Sequence, residues 1–290
     1  MNIILLTTIV ILILAQTMMK KTYSGKVDGG AYSFTALCSF FAMIIFIITA
    51  GGKLNFSSGF WPYAIAFAAC YSLASIYTLL ALFTGPVSVA SLLLSYSTMI
   101  PAIFSIIVYK EPVDVMLVTG TVLMILSLFF ANMEKKGQQK KITAKWLVYI
   151  IIAAVANGGC SLVQKIQQMN VKEGVYDCKN EFMIAALFII TLVMIAGALI
   201  SEKNKMGFNL KKGFVLSSFC GIANGVVNYL VILLSDPKMN MPASVMFPVI
   251  SAGGIVLTAI VSVLLYKEKL SRIQVLGFVL GTFSVIVLNL

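Results

Sequence analysis

Small and polar residues recur at helical spacing inside one apolar run in the second half of the chain. They are Ser217, Gly221, Asn224 and Asn228, at steps of four, three and four residues, and Tyr229 follows directly. This spacing places the first four on one face of a helix. Such a face either lines a solute cavity or lets helices pack closely. We expect Asn224, Asn228 and Tyr229 to line a cavity.

A second apolar run carries polar side chains at matching positions. Tyr71 and Ser75 share a helical face, and Ser72 and Tyr77 lie beside it. Polar groups inside a bilayer cost free energy unless they are paired or face a cavity. The two faces are therefore expected to meet around a central binding site, with helix packing as the alternative.

Lys165 is the charged residue most suggestive of substrate binding. Gln164 precedes it, and Asn157 lies two turns earlier. Its ammonium group could attract a carboxylate or phosphate of a substrate. Alternatively, Lys165 covers apolar surface with its stem and directs the ammonium to the membrane interface. Gln16 and Lys20 are the corresponding candidates in the first apolar run.

Several kinds of chemistry find no support in the residues. The chain has no histidine, and its five cysteines include no CxxC pair, so neither a metal site nor a disulfide is expected. No phosphate-binding GxxxxGK[ST] motif occurs, and the ten acidic residues fall at loops or predicted helix ends. We therefore predict a protein that is not an enzyme and that uses no cofactor.

The composition indicates that this chain lies in a lipid bilayer and not in water. Of its 290 residues, 60% are apolar and 11% are charged, whereas an average soluble domain carries about 25% charged residues. The mean hydropathy is +1.01. The net charge of +11 comes from lysines and arginines in short polar gaps, where anionic lipid attracts them. The expected partners are the lipid bilayer and a small-molecule substrate, with no nucleic acid.

Ten apolar windows are long enough to cross a bilayer, which takes about 20 residues. No large polar domain is left between them. The windows run at 2–19, 31–50, 61–83, 86–109, 114–132, 146–165, 182–200, 213–235, 242–266 and 272–290.

One sequence pattern occurs twice. "VYKEPVDVMLVTG" at Val108–Gly120 and "LYKEKLSRIQVLG" at Leu265–Gly277 are 157 residues apart. This indicates a first repeat at 1–132, a linker at 133–145 and a second repeat at 146–290. Because each repeat holds an odd number of helices, the second enters the membrane in the opposite sense. The predicted fold is an all-α integral membrane protein, with ten transmembrane helices arranged as two inverted five-helix repeats.

The chain resembles the EamA-like ten-helix members of the drug/metabolite transporter superfamily over nearly its whole length. The motif is a tight loop with Glu after the fourth helix of each repeat, followed by Gly: Glu111 with Gly120, and Glu268 with Gly277. The stretch "GGCSLVQK", which ends at Lys165, fits the family's first helix. The resemblance implies export or exchange of small metabolites across a cell membrane.

Glu111 and Glu268 also have a structural interpretation. In a tight turn, a carboxylate can accept hydrogen bonds from the exposed N–H groups of the following helix and favour its positive dipole end. A role in gating is the alternative.

Two pairs of glycines form small-xxx-small patterns, Gly221-x3-Gly225 and Gly277-x3-Gly281. Such patterns let two helices approach closely. The partner helix could belong to the same chain or to a second copy, so a homodimer is one expectation.

The predicted function is a secondary transporter of small organic metabolites that works by alternating access through a central polar cavity. One alternative is a flippase for lipid-linked sugars or polyprenyl phosphates, favoured if Lys165 and Lys20 face a groove open to lipid. Another is a membrane scaffold that transports nothing. Fifteen of the 21 Lys and Arg residues lie in odd-numbered gaps and six in even-numbered gaps. This bias places both termini outside the cytoplasm, whereas the family resemblance suggests the reverse.

Overall fold

The structure is a computed structural model of the whole chain. It describes residues 2–26, 30–54, 58–84, 93–94, 96–131, 143–172, 178–266 and 271–288. Glu268, one of the two predicted loop residues, lies outside the described residues.

The described residues form helices and connecting turns. Ten α-helices occur among them: α1 Asn2–Lys26, α2 Ala31–Ala50, α3 Trp61–Thr84, α4 Met99–Val108, α5 Val115–Ala131, α6 Ala144–Lys172, α7 Lys179–Ser201, α8 Met206–Ser235, α9 Ala243–Tyr266 and α10 Arg272–Leu288. Short 3-10 turns at Ser58–Phe60, Lys203–Lys205 and Pro237–Met239 precede α3, α8 and α9.

Six of the ten helices begin and end within three residues of their apolar windows. Helices α1, α6 and α8 are each seven residues longer at one end, and α4 begins at Met99, thirteen residues after the start of the fourth window, in a stretch that the structure describes only in part. The sixth window ends at residue 165, whereas α6 continues to Lys172. Gln167 and Gln168 in this extra stretch are each 1% exposed. Because packing rather than apolar composition keeps these side chains from water, hydropathy does not detect the last two turns. Lys165 therefore lies within the helix and not at its end, which corrects the sequence-based prediction.

Within the part of the chain that the structure describes, five helical segments are both long enough and apolar enough to cross a membrane. They are Asn2–Lys20, Ala31–Ala50, Ala144–Asn170, Lys179–Ser201 and Met206–Ser235. At 1.5 Å per residue, the 20 residues of α2 extend about 30 Å, the thickness of the hydrocarbon core. The structure thus has the helical content and the apolar spans of a membrane protein. The arrangement of ten spans as inverted repeats stays a prediction.

The chain forms two compact units, and each draws on several parts of the sequence. Unit 1 contains residues 1–10, 73–162 and 240–290, and unit 2 contains residues 11–72 and 163–239. Helices α1, α3 and α6 are each divided between the two units, with one segment in each.

Unit 1 is built on close contact between α5 and α10. Ser284 Oγ donates to the backbone oxygen of Gly120 at 2.8 Å, and Leu288 occupies the space where a Cβ at Gly120 would lie. Helix α9 packs against both helices and against α4. Met124, Leu128 and Ala252 form a fully buried cluster there.

Unit 2 is built on α2, which packs against both α7 and α8. A Cβ at Gly221 would lie 2.5 Å from the backbone oxygen of Cys38, and one at Gly225 would lie 2.9 Å from that of Ala42. The backbones of α2 and α8 can therefore approach only because these positions are glycine. The first small-xxx-small pattern thus has a partner helix within the same chain.

Candidate solute site

Four amide side chains of unit 2 form a continuous chain of hydrogen bonds. Gln164 Nε2 donates to Asn228 Oδ1 at 2.8 Å. Asn228 Nδ2 donates to Asn224 Oδ1 at 3.1 Å, and Asn224 Nδ2 donates to Gln16 Oε1 at 3.2 Å. We call these four residues the amide chain. All four were candidates from the sequence, and the structure brings them together.

Three helices position the amide chain. Gln16 lies on α1 and Gln164 on α6, while Asn224 and Asn228 lie one turn apart on α8. The four-residue spacing stacks the two asparagines on one face of α8, so that one amide can bond the other. Gln16 and Gln164 are 6% and 3% exposed, respectively. The chain therefore joins three helices through buried polar contacts.

The amide chain ends in a donor without an acceptor. Gln16 Nε2 is buried and has no hydrogen-bond partner among the residues that the structure describes. The same holds for Ser72 Oγ, whose side chain is 8% exposed. A buried donor left unsatisfied costs about 1–3 kcal/mol.

Lys165 lies in the interior of unit 2. Its side chain is 4% exposed, whereas a snorkelling lysine keeps its ammonium in water. Glu181, in the first turn of α7, is 2% exposed. Buried charges are rare unless they are paired. Among the described residues of unit 2, Lys165 is therefore a buried cation and Glu181 a buried anion.

Two contacts between α6 and α7 fix the register of these helices. Gln164 Nε2 lies 4.0 Å from Met183 Sδ, and Gln167 Nε2 lies 3.6 Å from Cys178 Sγ. Lys165 follows Gln164 on α6, and Glu181 lies between Cys178, which precedes α7, and Met183 on α7. Each buried charge therefore lies close in sequence to residues that join these two segments.

Other polar residues of α6, buried or half-buried, were missed by the sequence reasoning. Gln168 Nε2 donates to Gln167 Oε1 at 2.6 Å, and Asn170 Nδ2 donates to Tyr63 Oη on α3. These residues, and Glu181, lie beyond the apolar windows used to find candidates. The available signal was the density of amides in "QKIQQMN", from Gln164 to Asn170.

The remaining candidates of unit 2 are mostly aromatic or exposed. The ring of Tyr71 stacks on Phe67 with centroids 6.0 Å apart, and the ring of Tyr229 meets Phe46 edge-on at 6.1 Å. Lys20 is exposed. The binding roles of these three residues stay predictions.

Three candidates belong to unit 1. Asn157 Nδ2 donates to Ser97 Oγ at 2.7 Å. Tyr77 packs beside Tyr149 with ring centroids 5.7 Å apart, and Ser75 is half-buried. The structure places these residues in a different unit from the amide chain.

Glu111 caps a helix, but not the one predicted. Its carboxylate accepts from the backbone N–H groups of Ala243 at 3.0 Å and Ser244 at 2.9 Å, in the first turn of α9. The following helix, α5, is capped instead by Asp114, whose Oδ1 accepts from Leu117 N at 2.7 Å. Glu111 therefore ties its loop to a helix that begins 132 residues later in the chain.

Glu202 performs a similar task in unit 2. Its Oε1 accepts from Tyr32 N at 2.8 Å and Ser33 N at 3.2 Å, in the first turn of α2. Asn209 Nδ2 donates to its other oxygen at 3.2 Å. A carboxylate at the positive end of a helix dipole satisfies N–H groups that have no partner within the helix.

A largely apolar cavity of about 270 Å³ lies in unit 1, formed by α1, α9 and α10. Its lining consists of Ile3, Leu6, Thr7, Val10, Val249, Gly253, Val256, Leu257, Thr282, Val285 and Ile286. Neither Lys165 nor Lys20 lines it. The condition that would favour a flippase, both lysines facing a groove open to lipid, is therefore not met by this cavity.

Comparisons with known proteins give one structural match over nearly the whole chain and one short sequence match. A crystal structure described only as that of a protein matches 99% of this chain and 95% of its own, with a TM-score of 0.78 and 12% identity. The chain therefore shares that fold. The quaternary ammonium compound-resistance protein QacH of Staphylococcus saprophyticus is 32% identical over 66 residues. These residues are 22% of this chain and 62% of that relative's length. No protein-family model matches the chain.

Proposed function

We propose that the protein is a secondary transporter that moves small organic solutes across a cell membrane by alternating access. The observation that carries the proposal is the amide chain. Its four polar side chains lie on α1, α6 and α8. Each of these helices contains a segment long and apolar enough to span a bilayer. Polar groups at membrane depth commonly mark a substrate or ion pathway.

Two further lines support the proposal. The repeated Tyr-Lys-Glu loops resemble the drug/metabolite transporter superfamily, whose ten helices form two inverted repeats. The short similarity to QacH, a protein named for resistance to quaternary ammonium compounds, also points to the movement of small organic molecules. Neither observation identifies the solute, and neither requires an enzymatic reaction or a cofactor.

The experiment measures solute flux into sealed proteoliposomes, with a library of small organic acids, amines, amides and quaternary ammonium compounds. We expect saturable flux for at least one class and little flux through protein-free vesicles. Replacing Asn228 by alanine should reduce that flux at least about tenfold, because this residue bonds both neighbours in the amide chain.

Asn180→Ala is the matched control. Asn180 also lies in unit 2, and its Oδ1 accepts from Thr49 Oγ1 at 3.1 Å outside the amide chain. Its replacement should leave flux within about twofold. No flux of any solute through folded wild-type protein would overturn the proposal and favour a scaffold. Flux of a lipid-linked sugar alone would favour the flippase.

A further inference from the structure

The direction of every hydrogen bond in the amide chain is set by one backbone carbonyl. Asn228 Nδ2 donates to the backbone oxygen of Asn224 at 2.9 Å. A carbonyl oxygen can only accept, so the group of Asn228 that faces it must be the NH₂. The Oδ1 of Asn228 then faces Gln164, whose NH₂ must be the donor.

The orientation of Asn228 also determines the orientations of the other two amides, Asn224 and Gln16. Asn228 Nδ2 also bonds Asn224 Oδ1, so Asn224 presents its NH₂ to Gln16. Gln16 must accept with Oε1, and its own NH₂ is left over. The unpartnered atom of Gln16 is therefore a donor and not an acceptor. Turning this amide over would bring two NH₂ groups together.

We propose that Gln16 Nε2 is the solute-binding donor of the proposed transporter, and that it binds a carboxylate or carbonyl oxygen of the solute. This inference rests on the proposed transport function. Gln16 is 6% exposed, and the atom has no acceptor among the described residues. A solute that brings an acceptor oxygen satisfies this donor, whereas a quaternary ammonium group without oxygen cannot.

The rest of the amide chain strengthens this donor. Each amide that accepts a hydrogen bond becomes a better donor at its other end, because aligned hydrogen bonds polarise one another. Gln16 stands last in such a line of four. Because a buried donor without an acceptor is costly, presence or absence of the acceptor oxygen should change affinity roughly tenfold.

The test measures ligand-dependent thermal stabilisation of the purified full-length chain in detergent. The probes are matched series on benzyl and short alkyl groups: carboxylates, primary amides and trimethylammonium compounds. We expect wild-type protein to be stabilised by at least one carboxylate or amide, with an affinity at least about tenfold higher than for the matching trimethylammonium compound.

Gln16→Met keeps the length of the side chain and removes the donor, so it should lose that preference. Gln168→Met is the control, because Gln168 is a buried glutamine of the same unit whose Nε2 bonds Gln167 and not the amide chain. It should retain the preference. If Gln16→Met fails to fold, Gln16→Asn shortens the donor by one methylene and should weaken binding of the oxygen-bearing probes several-fold.

The inference is overturned if no carboxylate or amide binds, if the trimethylammonium compounds bind equally well, or if the Gln16 variants keep wild-type affinity. These results differ from failure of the transport proposal. Flux of quaternary ammonium compounds alone would support the transport proposal and overturn the oxygen-binding role of Gln16. Oxygen-dependent binding without any flux would support the binding site at Gln16 and overturn the transport proposal.

Discussion

At the residue scale, polar side chains inside apolar runs predicted the site candidates. The sequence did not predict their hydrogen-bond partners. Gln16, Gln164, Asn224 and Asn228 were all chosen from residue type and spacing. Their order in the amide chain depends on how α1, α6 and α8 pack. Glu181 lies one residue before the seventh apolar window, so residue type and spacing within the windows did not identify it. Only its burial, with 2% exposed, shows that it needs a partner.

We predict that Lys165 and Glu181 stabilise each other. Lys165→Met alone should lower the free energy of unfolding by about 3–5 kcal/mol, because it leaves a buried carboxylate uncompensated. Adding Glu181→Gln should recover part of that loss, with a coupling of about 1–3 kcal/mol. Denaturant titration of the single and double variants in mixed micelles measures the cycle.

The control cycle combines Lys165→Met with Glu202→Gln. Glu202 is a carboxylate of the same unit, engaged by the first turn of α2. These two changes should be additive within about 0.5 kcal/mol. Additive effects for Lys165 and Glu181 would mean that each residue is stabilised by other groups.

At the element scale, apolar length predicted the helices, while their contacts followed from glycine positions. The prediction that Glu111 serves the following helix was wrong about the target, because a loop carboxylate can reach any helix start that the fold brings near it. The capping of α9 by Glu111 depends on the fold bringing that helix start to the loop.

Gly221→Ala should lower the free energy of unfolding by about 1–3 kcal/mol. Its Cβ would lie 2.5 Å from the backbone oxygen of Cys38 on α2, and a backbone atom cannot move aside as a flexible side chain can. Gly207→Ala on the same helix is the control, since nothing lies within 4 Å of its Cβ. It should be neutral or stabilising by up to about 1 kcal/mol. Equal losses at both positions would contradict close packing of α2 and α8.

At the scale of the whole molecule, orientation in the membrane follows from charge. Counted in the gaps between the apolar windows and at the window ends, fifteen Lys or Arg residues lie in odd-numbered gaps and six lie in even-numbered ones. Positively charged gaps remain in the cytoplasm. Both termini should therefore lie outside.

A reporter that is active only in the cytoplasm tests this orientation. Fused after Leu290, it should be inactive, and inserted into the polar linker at 133–145 it should be active. The two fusions control for each other, because a misfolded protein would silence both. The opposite pair of signals would support the orientation suggested by the family resemblance.

The sequence by itself determined the solvent, the helices and the residues worth examining, because hydropathy and spacing are local properties of the chain. The tertiary structure decided which polar groups meet. A hydrogen bond joins Gln16 to Asn224 across 208 residues, and no local pattern encodes that distance. It also decided that the last group of the amide chain is a donor, since that follows from a single backbone carbonyl on α8.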